Sequence, residues 1–402
     1  MQTRNWSDRL GDRIAKLFED EYLKLSSACK PVIRSNGSKE WTVLSGIVAI
    51  DHLSVDKKLR LVSIGTGVKA LPDATLERSH GRMVHDCHAE ILALRGFNTV
   101  LLEHMNYMVT EQCGETDLIE RTAAGVCILK SKWKLALYIS TLPCGDASMK
   151  DLQTYNNTDT NRKQELTFEE NTEIQWIDQK IRSILRGRFN YDRLGVVRTK
   201  PGRYDSQITF SKSCSDKLCI KQVTSILNSL TWSLMAQPVF LDYLVIPNLA
   251  VDRCQGVHHS FRDRLGRLPQ KSLELLECNV PFFDNKSSKS EEPSSMSSVK
   301  LFLDLPERKC TEQAILNGLK NGFYTKGNKP LRKNCESAVS RLAQWKIYVN
   351  IRPDAKQQTY LEFKAGLSER NRIIQEVKKV LSPDGWISTR NDDCHIFCDT
   401  AV

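Results

Sequence analysis

The stretch His85-Asp86-Cys87-His88-Ala89-Glu90 runs directly into the apolar pattern Ile91-Leu92-Ala93-Leu94, and it constrains the fold more than any other part of the chain. A histidine two residues before a glutamate, at the first turn of a helix, places an imidazole on a metal and a carboxylate beside the metal's open position. Two later stretches supply partners, Leu142-Pro143-Cys144-Gly145-Asp146 and Ser213-Cys214-Ser215-Asp216-Lys217. One imidazole and two thiolates make a three-ligand set for zinc that leaves a fourth position for water. The fold must therefore bring three distant segments to one point.

The periodicity around these segments predicts alternating strands and helices. Asp12 to Leu25 carries Ile14, Leu17, Phe18, Tyr22 and Leu25 at amphipathic-helix spacing. Trp41 to Ile50 and Leu59 to Ile64 read as neighbouring strands, the second ending in the turn Gly65-Thr66-Gly67-Val68-Lys69. Gly-x-Gly without a following Gly-x-x-Gly helix is no nucleotide fingerprint, so this turn is read as a turn. His88 to Met105 is a helix, and Trp133 to Thr141, alternating Leu135, Leu137 and Ile139 with Ala136, Tyr138 and Ser140, is a strand. Cys144 and Cys214 both fall where new helices are expected to start, where the helix dipole and free N–H groups favour thiolate. The helix from Cys214 is expected to run on through Val223, Ile226, Leu227 and Leu230, and Val239 to Ile246 reads as a buried strand.

Between these elements lie segments with less chemistry. Gln153 to Thr172 is polar and reads as an exposed insertion, and Glu173 to Leu185 as a short helix. Arg198-Thr199-Lys200 follows a predicted strand at Leu194-Gly195-Val196-Val197; it faces either an anion or only solvent. Nine of the fifteen residues from Asp284 to Ser298 are Ser or Lys, so 284–299 is expected to be a flexible insertion. It divides a catalytic core, 30–283, from a C-terminal segment, 300–402, expected to be mainly helical, around Cys335 to Trp345 and Thr359 to Val380, and to pack on the core.

A net charge of +10, from 58 basic against 48 acidic residues, favours a polyanionic partner. No apolar run approaches the length of a membrane span, and Met1 to Trp6 lacks a signal-peptide core, so a soluble nuclear or cytosolic protein is expected. Thirteen cysteines without paired spacing read as mostly reduced, a selected few being ligands. Compact zinc deaminases follow His-x-Glu … Pro-Cys-x-x-Cys, with both cysteines on one helix turn. Here Ala147 stands in the second cysteine's place and Cys214, seventy residues beyond Cys144, replaces it. Cys87 points elsewhere and is expected to be structural.

With His88-Ala89-Glu90, Pro143-Cys144-Gly145-Asp146 and Ser213-Cys214-Ser215-Asp216-Lys217 in this order, the chain resembles the editase-type adenosine deaminases that act on RNA. Weaker similarity extends from Val43-Leu44-Ser45-Gly46 to Trp386. The resemblance implies an α/β fold, a cytidine-deaminase-like mixed β-sheet flanked by helices, elaborated into a single editase domain with a C-terminal helical extension. One branch of the family edits double-stranded RNA through separate binding domains. The other deaminates tRNA with the editase domain alone.

Met1 to Lys30 is too short for such an extra domain. Only the thirteen residues Pro201 to Ser213 separate Arg198-Thr199-Lys200 from Cys214, short for the loop with which duplex editors fill the gap left by a flipped adenosine. The chain is therefore more similar to the tRNA branch, whose yeast member converts the adenosine 3′ of the anticodon, position 37 of alanine tRNA, to inosine. An unpaired anticodon-loop adenosine needs little extrusion energy.

The resemblance assigns zinc to His88, Cys144 and Cys214, and proton transfer to Glu90. Lys217 and Asp86 would orient the site. Lys69, Arg198 and Lys200 would touch the RNA backbone. It also implies a buried inositol hexakisphosphate, held by Arg95, Lys217, Tyr360, Lys364, Trp386 and Arg390, with Lys333 a looser candidate; Leu94, Ile220 and Lys221 depart from the family's pocket. The expected partner is tRNA, with no DNA and no membrane, and a monomer is expected. The competing readings are a double-stranded RNA editor, a non-catalytic zinc-containing RNA-binding protein, which would not need Glu90, and a free-nucleoside deaminase, which would need neither this length nor this charge.

Overall fold

The alternation along Trp133–Ile139 produces a strand with two apolar faces, and the computed structural model, which describes residues 6–151, 173–202, 206–287, 291–327 and 329–395, covers both of them with helices. Helix α1 (Trp6–Leu23) lays Ile14, Phe18 and Tyr22 against Ala136, Tyr138, Leu44 and Val48 on one face. Helix α2 (Ala89–Thr110) lays Leu92, Phe97 and Leu101 against Leu135, Leu137, Ile47 and Val62 on the other. Each such large side chain taken out of water contributes about 1.5–3 kcal/mol. The result is a three-layer α/β/α sandwich.

In chain order, the strands used below are β1 (Leu44–Asp51), β2 (Leu59–Thr66), the short pair β3 (Val68–Ala70) and β4 (Asp86–His88), then β5 (Trp133–Ile139), β6 (Tyr243–Pro247), β7 (Glu274–Cys278), β8 (Met296–Phe302), β9 (Cys310–Leu316) and β10 (Leu319–Lys320). Eight form one mixed sheet in the order β7-β6-β5-β1-β2-β8-β9-β10. Strands β5, β6 and β7 run parallel, while the remaining neighbours are antiparallel.

The predicted glycine turn seats α2. A Cβ at Gly65 would lie 2.6 Å from the Ala89 carbonyl oxygen and 2.8 Å from Leu92 Cβ, so only glycine lets the helix press this closely on β2. The Gly67 carbonyl accepts a hydrogen bond from Ala89 N–H at 3.0 Å and fixes the helix start. Helix α3 (Cys214–Thr224) is capped by Ser213, whose hydroxyl accepts from Asp216 N–H. It stops at Thr224 rather than running to Leu230; Ser225 follows at φ 143°, and α4 (Ser229–Leu234) starts afresh on an Asn228 capping box. Helix α5 (Val251–Phe261) packs beside the turn Asp146–Ser148.

Three expectations are corrected. The segment 284–299 is no linker, because Met296 opens β8, a strand in the middle of the sheet that pairs with both β2 and β9. Two of its serines are buried with hydrogen bonds: Ser298 and Thr66 share one between their hydroxyls at 2.7 Å, and Ser297 donates to the Cys87 carbonyl at 3.3 Å. The sheet therefore draws strands from both sides of that segment, and 300–402 turns helical only from α6 (Arg341–Ile351), α7 (Tyr360–Ala365) and α8 (Ser368–Leu381) onwards. Glu173 to Leu185 forms no helix; its last two residues make a short parallel pair with Val197–Arg198. The polar insertion predicted for 153–172 lies outside the described residues. Among the described residues, no helix is long and apolar enough to cross a membrane.

Candidate active site

Three loops at the helix-α2 end of the sheet supply the metal-binding side chains. His88 is the last residue of β4 and the N-cap of α2, so its backbone is extended while Ala89 and Glu90 are already helical. Cys144 follows β5 by way of Pro143 and precedes only a single 3-10 turn, Asp146–Ser148, before residues 149–151 become helical. Cys214 is the first residue of α3. The three ligand atoms all lie within 4.8 Å of one another, with His88 Nδ1 3.7 Å from Cys144 Sγ. A nitrogen and two sulfurs at these separations fit a tetrahedral zinc ion with one open position.

The two cysteines meet because Gly145 has φ 102° and no side chain: a Cβ there would stand 2.1 Å from Ser213 Oγ. The backbone N–H of Cys214 donates to Cys144 Sγ at 3.4 Å. Cys144 is held as a thiolate, first by a hydrogen bond from the Cys214 thiol and then, against its burial, by the charges of Lys200 and His88. Burial, together with that neighbouring thiolate, raises Cys214.

An aspartate stands two residues from each ligand, and all three are buried: Asp86, Asp146 and Asp216. Asp86 accepts from His88 N–H at 3.1 Å and from Lys200 Nζ at 2.7 and 2.8 Å, and it is ion-paired with Lys217. Burial pushes its carboxyl upward, but the charges of Lys200 and Lys217 hold it well below its ordinary value. Lys200 Nζ also donates to Cys214 Sγ at 3.2 Å, so one ammonium joins the carboxylate beside one ligand to the sulfur of another. Asp146 accepts from Gly195 N–H, Ser260 Oγ and His259 Nδ1. Asp216 accepts from Arg198 N–H at 3.0 Å and pairs with Arg264 at 2.7 Å. Each ligand loop is thus held by a buried carboxylate with charged or hydrogen-bonding partners, the arrangement that sets metal-ligand geometry.

Glu90 is buried on the first turn of α2, its charge felt by Cys144 and Lys200, and burial raises its carboxyl above the ordinary value. Such a carboxylate accepts and returns a proton near neutral pH more readily than an exposed one. Cys87 is buried with its thiol on the Val84 carbonyl, and burial pushes its pKa up to about 12, a structural residue.

Arg198 and Lys200 do not reach an RNA backbone. Arg198 is fully buried, and its guanidinium donates to the carbonyls of Gly187, Phe189, Asn190 and Arg193; Lys200 is spent on Asp86 and Cys214. Lys69 lies on β3, paired with Cys87 one residue before His88. Arg188, missed in the sequence, is exposed, lies along Gly202 and is close enough to Cys144 for the two charges to interact.

On the other side of Asp86 is a second cavity of about 520 Å³, lined by eight cations against only two carboxylates, Asp86 and Asp392. Arg95, Lys217, Lys364, Trp386 and Arg390 line it as expected, as do the departing positions Leu94, Ile220 and Lys221; Lys212, Arg341 and Arg370 join them unforeseen. Arg370 Nε is buried without a hydrogen-bond partner, and Arg341 Nη1 also makes none, although it stands 3.4 Å from Asp392 Oδ2 in an ion pair. Burial, reinforced by Arg370, Lys217 and Arg95, depresses Lys221 to about 7. Burial also depresses Lys212 to about 8. Orphaned guanidiniums and depressed lysines around one space fit a compact polyanion, which would supply the missing acceptors. Tyr360 is not itself in the lining but is buried against three of its cations, with its ring 5.0 Å from the Arg341 guanidinium and Lys364 and Arg95 close enough to act on its hydroxyl, whereas Lys333 belongs to a surface loop.

A sequence model of the adenosine-deaminase (editase) domain matches residues 63–386. The chain is 50% identical over 388 residues to tRNA-specific adenosine deaminase 1 of Saccharomyces cerevisiae, covering 96% of this chain and 94% of that protein. It is 34% identical to tRNA-specific adenosine deaminase 1 of Schizosaccharomyces pombe, over 95% and 97% of the two chains. Its likeness to the double-stranded RNA-specific editase Adar of Drosophila melanogaster is weaker, 25% over 68% of this chain and 37% of that one.

Proposed function

The chain belongs to the adenosine-deaminase (editase) family and is an enzyme, and on that premise we propose that it hydrolytically deaminates adenosine to inosine in tRNA, with zinc, at position 37 of alanine tRNA. It would act as a monomeric single editase domain in the nucleus or cytosol. The observation that carries this reading is the convergence of His88, Cys144 and Cys214 on one point, with Glu90 buried beside them. The near full-length likeness to two proteins named tRNA-specific deaminases favours tRNA over duplex RNA.

Zinc bound by one imidazole and two thiolates supplies a water activated near neutral pH. Glu90 takes a proton from the attacking water and delivers it to N1 of the adenine as the C6–O bond forms. It then takes the remaining hydroxyl proton from the oxygen on C6 and passes it to the amino group, which leaves as ammonia as the C6–N bond breaks and the C6 carbonyl forms. Asp86, Asp146 and Asp216 hold the ligand loops through both steps. Lys69 and Arg188 would meet phosphates flanking the target nucleotide. Inositol hexakisphosphate would occupy the cationic cavity, where Arg341 and Arg370 gain their missing acceptors; Lys217 would then link it through Asp86 and Lys200 to the zinc site.

The test is inosine formation on an unmodified alanine tRNA transcript, with Glu90→Ala in parallel and zinc measured in both. Inosine only from the parent protein, at equal zinc content, supports the reading. A folded, zinc-loaded parent that makes none sinks the tRNA assignment, and duplex RNA becomes the next substrate.

A further inference from the structure

Between Glu312 and Glu336 the chain has no acidic residue and five cations, Lys320, Lys326, Lys329, Arg332 and Lys333. This run is a loop with a built underside. Lys320 N–H donates to the Cys335 carbonyl at 2.9 Å and closes its neck. Leu319 and Cys335 are buried with Leu71 and Met83 in a small apolar cluster, against which Phe323, Tyr324 and Leu331 pack. Arg78 holds the loop from outside, donating to Thr325 Oγ1, the Thr325 carbonyl and the Lys329 carbonyl, with its guanidinium 5.8 Å from the Tyr324 ring centre. Lys326, Lys329 and Arg332 are exposed, Arg332 donating to the Gly322 carbonyl at 3.3 Å.

This position ties the loop to the active site. Val84 N–H donates to the Gly318 carbonyl at 2.8 Å, and Val84 lies four residues before the zinc-site histidine His88 on the same run of chain. At strand rise that separation is about 13 Å. Lys69, on the strand paired with β4, occupies the ground between. We propose that loop 320–334 is a phosphate-binding platform for the tRNA substrate, gripping backbone beyond the nucleotide held at the zinc site. The inference rests on the tRNA reading above. Like charges presented together by a fixed loop, with no acid among them, fit a polyanion's repeating phosphates.

The experiment uses the zinc-loaded full chain and an alanine tRNA transcript, comparing the parent with a Lys326→Ala/Lys329→Ala/Arg332→Ala variant. A control, Arg13→Ala/Lys16→Ala/Lys24→Ala, removes two cations from α1 and one just past its C-terminal end, on the sheet's other face. Binding is followed by anisotropy across a salt series, and deamination by KM and kcat. The platform variant is expected to bind roughly tenfold or more weakly. The slope of log K against log salt should shrink by about 2–3, near 0.9 for each phosphate that the variant no longer neutralises. KM should rise with kcat unchanged, while the control tracks the parent. If the parent makes inosine and the platform variant matches it in both KM and salt slope, the platform is overturned alone. If the control loses as much as the platform variant, the effect is general charge and the platform is overturned again. If the parent makes no inosine on tRNA, the functional reading itself fails, and tRNA goes with it as the loop's occupant.

Discussion

The zinc-ligand pocket and the cationic cavity share Asp86 and Lys217 yet differ in how their charges close. Around the metal ligands each buried ion has a partner: Asp86 with Lys200 and Lys217, Asp216 with Arg264, and Asp146 with three donors. Around the cavity eight cations face only two carboxylates. Closure within the chain gives a preorganised site. Open charge is stable only when something outside the chain completes it.

The largest expected effect lies on the closed side. Glu90→Gln should lower kcat by on the order of 10²–10⁴-fold while zinc content and Tm stay at parent values, because only the proton carrier changes. Loss of metal in that variant would break the division between ligands and proton carrier. Lys200→Met tests closure itself. It leaves Asp86 with one cation fewer and Cys214 without its donor, which should cost about 3–5 kcal/mol in denaturant unfolding and roughly 10–100-fold in zinc affinity by competition with a chelator.

The cavity should answer with the opposite sign. Lys221→Met is expected to raise the Tm of polyanion-stripped protein, on the order of 1 kcal/mol of added stability. In calorimetry the same change should weaken inositol hexakisphosphate binding by roughly tenfold to a hundredfold. A variant that loses stability in the stripped state would show that the cavity is closed after all.

A further effect is one of pH. Lys221 and Lys212 titrate near 7 and 8 in the folded chain instead of their ordinary 10.5, so between those values the unfolded state binds more protons. Stripped protein should therefore gain stability as pH rises from about 7 to about 10.5 and should lose that gain on acidification through the folded values. Added polyphosphate should flatten the slope, read as Tm across a buffer series.

The closed site was the legible one. His88, Glu90, Cys144 and Cys214 announce themselves because each sits in a short motif at an element boundary, where local sequence decides backbone geometry. The cavity is assembled from residues far apart in the chain, so Lys212, Arg341 and Arg370 were invisible, although the family resemblance pointed to Arg95, Lys217, Lys364, Trp386 and Arg390 and to the departing positions Leu94, Ile220 and Lys221. Arg198 and Lys200 misled because a short polar run looks the same whether its charges face water or are spent on carbonyls and an aspartate. Strand β8 misled for a related reason: Ser297 and Ser298 are buried by hydrogen bonding rather than by apolar area, which in composition resembles a linker.

The ligands' spacing has a consequence for how the protein matures. His88 precedes Cys144 by 56 residues, and Cys144 precedes Cys214 by 70. In zinc fingers the ligands are near neighbours and the ion drives folding. Here the loops meet only after the long-range pairing of β1, β2 and β5 is in place and α3 has docked, with Gly145 against Ser213 as the last fit. A metal held by these three residues would therefore not nucleate the fold, and metallation would be a late event that tests finished geometry instead of creating it.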